Sequence, residues 1–134
     1  MRDEDVKTLV QSRMIQAEER LRDARILLSS GGSGRSVVSS AYYAGFYAIL
    51  ALLQLAGHTP RKHQGALTLF DLEYVKKGVF STDMSAAIHR LFRMRLRDDY
   101  IELDEIDRAE AEDALKNADE FVRQVRDYLA RNSI

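Results

Sequence analysis

The sequence contains no cysteine and one proline. The first absence excludes disulfides, thiolate nucleophiles, iron–sulfur clusters and cysteine-rich zinc sites. The opening residues, MRDEDVKTLVQSRMI, mix charge with apolar side chains and lack the apolar core of a signal peptide. A cytoplasmic location follows. No phosphate-loop signature, Gly-x-Gly-x-x-Gly or Gly-x-Ser-x-Gly occurs, and no His-x-x-x-His or Glu-x-x-His, so neither a cofactor nor a metal is expected. His58 and His63 have Pro60 between them and His89 is remote, which makes a poor ligand set. The formal net charge is only −1, which excludes a protein that coats nucleic acid through bulk charge. Any such contact must be local.

What is present fits one folded domain, residues 1–134, with 46% hydrophobic and 31% charged residues. No window alternates β-branched and polar residues, and helix formers dominate. Glycine and Pro60 divide the chain into five helical stretches. From Glu4 to Ser30, the residues Val10, Met14, Ala17, Leu21, Ala24 and Leu28 recur at spacings of three and four, and Gly31-Gly32-Ser33-Gly34 ends the run. A second helix is predicted from Ser36 to Ala56, stopped by Gly57, and a third from His63 to Lys77 before Gly78. Thr82 or Asp83 can cap a fourth through Met84, Ala87, Ile88, Leu91 and Phe92, interrupted at Asp98 and Asp99. Asp104, helped by Asp107, opens a last helix through Ile106, Ala114, Ala118, Phe121, Val125 and Leu129. The pattern predicts an all-α, antiparallel up-and-down bundle of four to five helices.

The segment Ser36–Ala56 carries no charge in 21 residues, 16 of them apolar. That is long enough for a membrane span. Its first half is rich in small and hydroxylated residues, however, and the other amphipathic helices need a buried partner. A central bundle helix serves that need, and no membrane contact is expected. Tyr42, Tyr43, Phe46 and Tyr47 on it suit a core or a dimer interface better than a base-stacking platform.

Charge is unevenly placed. Residues 58–97 carry eight basic and three acidic side chains, whereas residues 98–134 carry five basic and twelve acidic ones. A local basic patch of this kind binds phosphate, or else pairs with the acidic last helix. Arg95 and Asp99 would share a helix face, where arginine clamps a phosphate and a carboxylate orients it or accepts a proton; the plainer alternative is an intrahelical ion pair.

The stretches AEERLRDARILLSSG, SVVSSAYYAGFYAILALLQLAG, PRKHQGALTLF, EYVKKG, RLFRMRLRDDY and AEDALKNADEFVRQV occur in this order. Together they resemble the HEPN domain family, most specifically at Ala41–Ala44, at Lys62-His63-x-Gly65 and at Arg95-x-x-x-Asp99-Tyr100. The resemblance implies a prokaryotic helical bundle, usually a homodimer, associated with nucleotide or RNA metabolism and often paired with a minimal nucleotidyltransferase as toxin and antitoxin. It implies nucleotide or RNA binding through Lys62, Arg93, Arg95, Arg97 and Tyr100, and makes Tyr100 a candidate acceptor for nucleotides added by the partner. Ribonuclease members carry Arg, four to six residues, then His. Here no histidine follows Arg90, Arg93, Arg95 or Arg97, and Asp99 and Tyr100 occupy that region. A metal-independent ribonuclease built on this chain would use Arg95, Asp99 and an imidazole from elsewhere, namely His63. A third possibility is a purely structural dimerisation module.

Overall fold

The computed structural model describes residues 2–100 and 105–134, with the backbone alone at 97–100. Five helices follow in order: α1 (Asp3–Ser29), α2 (Gly34–Leu55), α3 (His63–Phe70), α4 (Thr82–Tyr100) and α5 (Arg108–Arg131). There is no strand among the described residues. The fold is the expected all-α bundle.

α2 is its axis, packed against α1, α3, α4 and α5. It is the one described helix long and apolar enough to cross a membrane, yet 67% of its most apolar window is buried among its neighbours. Its small residues explain how. Ala41, Ala44, Ala48 and Ala51 are fully buried, and a Cβ on Gly45 would stand 2.6 Å from Ile88 Cδ1 of α4. Opposite it, α1 buries Val10, Ala17, Leu21 and Ala24, with Met14 and Leu28 half-buried at the edges of the stripe. Each fully buried Leu, Ile or Phe contributes about 1.5–3 kcal/mol of transfer free energy. One buried polar group, Ser40, donates from Oγ to the Arg20 carbonyl at 2.8 Å and so ties α2 to α1.

Helix ends depart from expectation in instructive ways. α2 starts at Gly34, not Ser36, because Ser33 Oγ accepts from the Ser36 amide. A side chain at Gly34 would collide with the Ile106 carbonyl. Gly57 terminates α2 as expected, at φ +87°, with its own N–H on Gln54 O and that of His58 on Leu53 O. The third helix does not run to Lys77. It becomes a π-helical turn over Asp71–Val75, which lets Tyr74 reach the Leu52 carbonyl at 2.5 Å while its ring packs on Phe70 and Phe80. Ser81, rather than Thr82 or Asp83, caps α4 by accepting from the Met84 amide.

Asp98 and Asp99 do not interrupt α4, which continues to Tyr100. The propensity cost of aspartate, at most about 0.7 kcal/mol, is small beside the burial of Leu91 and Met94 on the same helix. α5 opens at Arg108 with Asp107 as its cap, in a reciprocal capping box with Glu110. Asp104, expected to open it, lies outside the described residues, and Ile106 is buried just before the helix.

Candidate functional site

The Schellman turn at Gly57 and the following Pro60 reverse the chain, so that α3 starts against the middle of α2. Its first residue, His63, lands on the aromatic cluster. The imidazole stacks on Phe46 at 4.0 Å between centroids and 6° between planes, meets the edge of Tyr43 at 5.6 Å, and shares a 2.8 Å hydrogen bond between Nδ1 and the Tyr42 hydroxyl. From α4, Arg95 reaches the same cluster. Its guanidinium lies 5.5 Å from the Tyr42 ring centroid and 5.2 Å from that of Tyr43, and Nη2 donates to the Tyr43 hydroxyl at 3.2 Å. Residues 32 positions apart in sequence are thereby joined through two tyrosines.

The electrostatics follow from this packing. Burial pushes the Tyr42 hydroxyl well above the ordinary tyrosine range, with Arg95 opposing part of the rise, so it stays protonated. Burial first, and the Arg95 charge second, hold the His63 pKa below that of a free histidine. His63 is therefore neutral at physiological pH, with one ring N–H and one lone pair. A fixed guanidinium beside a neutral imidazole can hold a phosphate and exchange a proton with a group bound to it.

The remaining candidates separate. Tyr42 is fully buried core, while Tyr43, Phe46 and Tyr47 are half-buried at the cluster's edge. Lys62 precedes His63 and Arg93 projects from α4, both exposed. The side chains of Arg97, Asp99 and Tyr100 lie outside the described residues; the unbroken helix sets positions 95 and 99 one turn apart. The other histidines go elsewhere, His58 to Glu73 at 3.5 Å and His89 to Asp71 at 2.7 Å.

Pairing with the acidic last helix accounts for part of the basic segment. Arg90 meets Asp113 of α5 at 3.4 Å, but the other described ion pairs of α5 to another helix are Asp119 with Arg25 and Arg126 with Glu18, both on α1. Arg61, Lys62, Lys76 and Arg93 are exposed and have no carboxylate partner among the described residues. Sequence reasoning missed Arg20 of α1, whose guanidinium sits 5.1 Å from the Tyr43 ring centroid. Its place beside Leu21 on an amphipathic helix reads as an ordinary boundary position, and only the tertiary packing identifies it.

The family model of the HEPN domain matches residues 10–128. The chain belongs to the HEPN domain family. A UPF0332 protein of Thermotoga maritima is 36% identical over 114 residues, 85% of this chain and 86% of its own length. A Methanocaldococcus jannaschii protein named "Putative toxin MJ0605" is 31% identical over 125 residues, covering 93% of this chain and 92% of that one. A UPF0332 protein of Pyrococcus horikoshii is 42% identical over 74 residues, 55% of this chain and 51% of its own. The HEPN match takes in the whole of α2, α3 and α4, and therefore every described residue of the Arg95–His63 cluster. Relatives with toxin names make a toxin-like HEPN module the coarse functional class.

Proposed function

We propose that this chain is a toxin-type HEPN module that binds RNA, or the phosphate of a nucleotide, at the face where Arg95 meets His63. The observation that carries this reading is the guanidinium of Arg95, fixed by Tyr42 and Tyr43 beside a neutral imidazole. Exposed Lys62 adds positive charge next to His63 in the chain, and Arg93 and Arg97 carry further charge on the helix of Arg95. As in the family it resembles, the module acts as a homodimer with a minimal nucleotidyltransferase, for which Tyr100 is the acceptor.

A second reading, metal-independent RNA cleavage, gains from the position of His63. The motif histidine is missing after Arg95, but His63 brings an imidazole to the same two tyrosines from another helix. In that reaction Arg95 neutralises the phosphate and His63 moves the proton, with Asp99 as a further candidate.

The test is incubation of purified wild type, Arg95→Ala and His63→Gln with labelled RNA in EDTA at low and high salt. Salt-sensitive binding that Arg95→Ala weakens, without cleavage, is the expected result. Cleavage lost in both variants would replace it with the ribonuclease reading. Binding indifferent to Arg95 would refute both. Transfer of label from a nucleoside triphosphate by a co-expressed nucleotidyltransferase, abolished in Tyr100→Phe, checks the partnership.

A further inference from the structure

Tyr43 is contacted by two cations, not one. Arg95 approaches it from α4 and Arg20 from α1, at 5.2 and 5.1 Å from the ring centroid. Arg20 also lines a second feature, a shallow groove of about 410 Å³ between α1 and α2, whose other walls include Asp23, Ile26, Ser36 and Ser39. That volume is within the range of small-molecule sites. Ile26 is 58% exposed at its edge. Arg20 is held in place at its backbone, where its carbonyl accepts from buried Ser40.

The arrangement is continuous: Arg95, then Tyr43, then Arg20, then a groove with hydroxyls, one carboxylate and an apolar edge. We infer that the Arg95 site extends through Arg20 into this groove and takes a single-stranded RNA of at least two nucleotides, with one phosphate on Arg95 and the next on Arg20. This rests on the phosphate-binding reading of Arg95. Two guanidinium groups on one tyrosine offer two positive charges to a sugar–phosphate strand, which carries a negative charge at every nucleotide. Past Arg20, Ser36 and Ser39 offer hydroxyls to the sugar or phosphate, and Ile26 offers an apolar surface to a base. Asp23 repels a phosphate but accepts from a ribose 2′-hydroxyl, so the groove favours RNA over DNA.

The experiment is fluorescence anisotropy of the full chain with a short labelled single-stranded RNA, competed by AMP and by the same sequence as DNA, at low and high salt. Arg20→Ala is expected to weaken RNA about tenfold and lower the salt slope by about one, as for loss of one charge-assisted phosphate contact. Because Arg20→Ala also removes packing on Tyr43, Ser39→Leu serves as an independent probe, filling the groove from α2. It is expected to weaken the RNA while leaving the inhibition constant of AMP, which occupies the Arg95 end alone, unchanged. Wild-type RNA affinity in both Arg20→Ala and Ser39→Leu, with Arg95→Ala still impaired, overturns the extended site and spares the Arg95 reading. If Arg95→Ala also binds as wild type, both are wrong. DNA competing as well as RNA refutes the role of Asp23 and the RNA assignment.

Discussion

The separation of α2 and α4 sets the distance from Tyr42 and Tyr43 to Arg95, and it depends on the missing side chain of Gly45. In Gly45→Ala the new Cβ would lie 2.6 Å from Ile88 Cδ1, about 1 Å inside the usual carbon–carbon contact. Ile88 is fully buried, so its terminal methyl must leave its rotamer or the helices must part. Overpacking of this kind costs about 1–3 kcal/mol, against which alanine returns about 1 kcal/mol of helix propensity. The net expectation is a loss of about 0–2 kcal/mol. Ile88→Val removes the obstructing methyl and by itself costs about 0.5–1.5 kcal/mol, mainly as a small cavity. In the double variant the methyl introduced at position 45 occupies the vacated space, so its stability is close to that of the wild type and the two changes couple favourably by about 1–3 kcal/mol. Urea denaturation of the four proteins, followed by far-ultraviolet circular dichroism, measures the cycle. RNA binding should track it, reduced in Gly45→Ala and restored in the double variant. Additivity within about 0.5 kcal/mol would refute the claim that this contact sets the helix spacing.

Stability should also depend on pH through His63. Its pKa is lowered in the folded protein, so on acidification the unfolded chain takes up the proton first. The stabilisation associated with neutral His63 is complete above the ordinary histidine pKa of about 6.5 and declines as pH falls below it. Arg95→Ala should raise the His63 midpoint in an NMR titration, and His63→Gln should flatten this part of the stability curve; a His63 midpoint above that of a free peptide would contradict the assignment. At the other end of the bundle, Asp107→Ala removes half of a capping box and should cost about 1 kcal/mol in denaturation. Asp107→Ser should recover most of it, and an unchanged midpoint in the alanine variant would show that the cap contributes nothing.

What could be read from the sequence was whatever repeats along one helix. The stripe Val10, Ala17, Leu21 and Ala24 and the uncharged run from Ser36 through α2 declare buried faces, and Gly57 declares a stop through its backbone freedom. The helix caps at Ser33, Ser81 and Asp107 differ from expectation by a few residues of local bonding; the larger departure falls where a distant partner is involved. At the π turn Asp71–Val75, Tyr74 donates to the Leu52 carbonyl, a partner 22 residues away in sequence. The site divides by the same rule. Arg95 stood out because its segment is locally rich in positive charge, and Tyr42 and Tyr43 because aromatics cluster within one turn. His63 was marked by its Lys62-His63-x-Gly65 stretch, but that it faces the tyrosines depends on a chain reversal after α2; Arg20 faces Tyr43 through the packing of α1 and has no signal in its own neighbourhood. A site assembled from α1, α2, α3 and α4 is therefore least visible where it is most composite, which is why the groove beyond Arg20 emerges only from the folded chain. The same geometry makes the candidate site depend on bundle packing as a whole: any change that moves α2 shifts Tyr43 relative to both arginines at once.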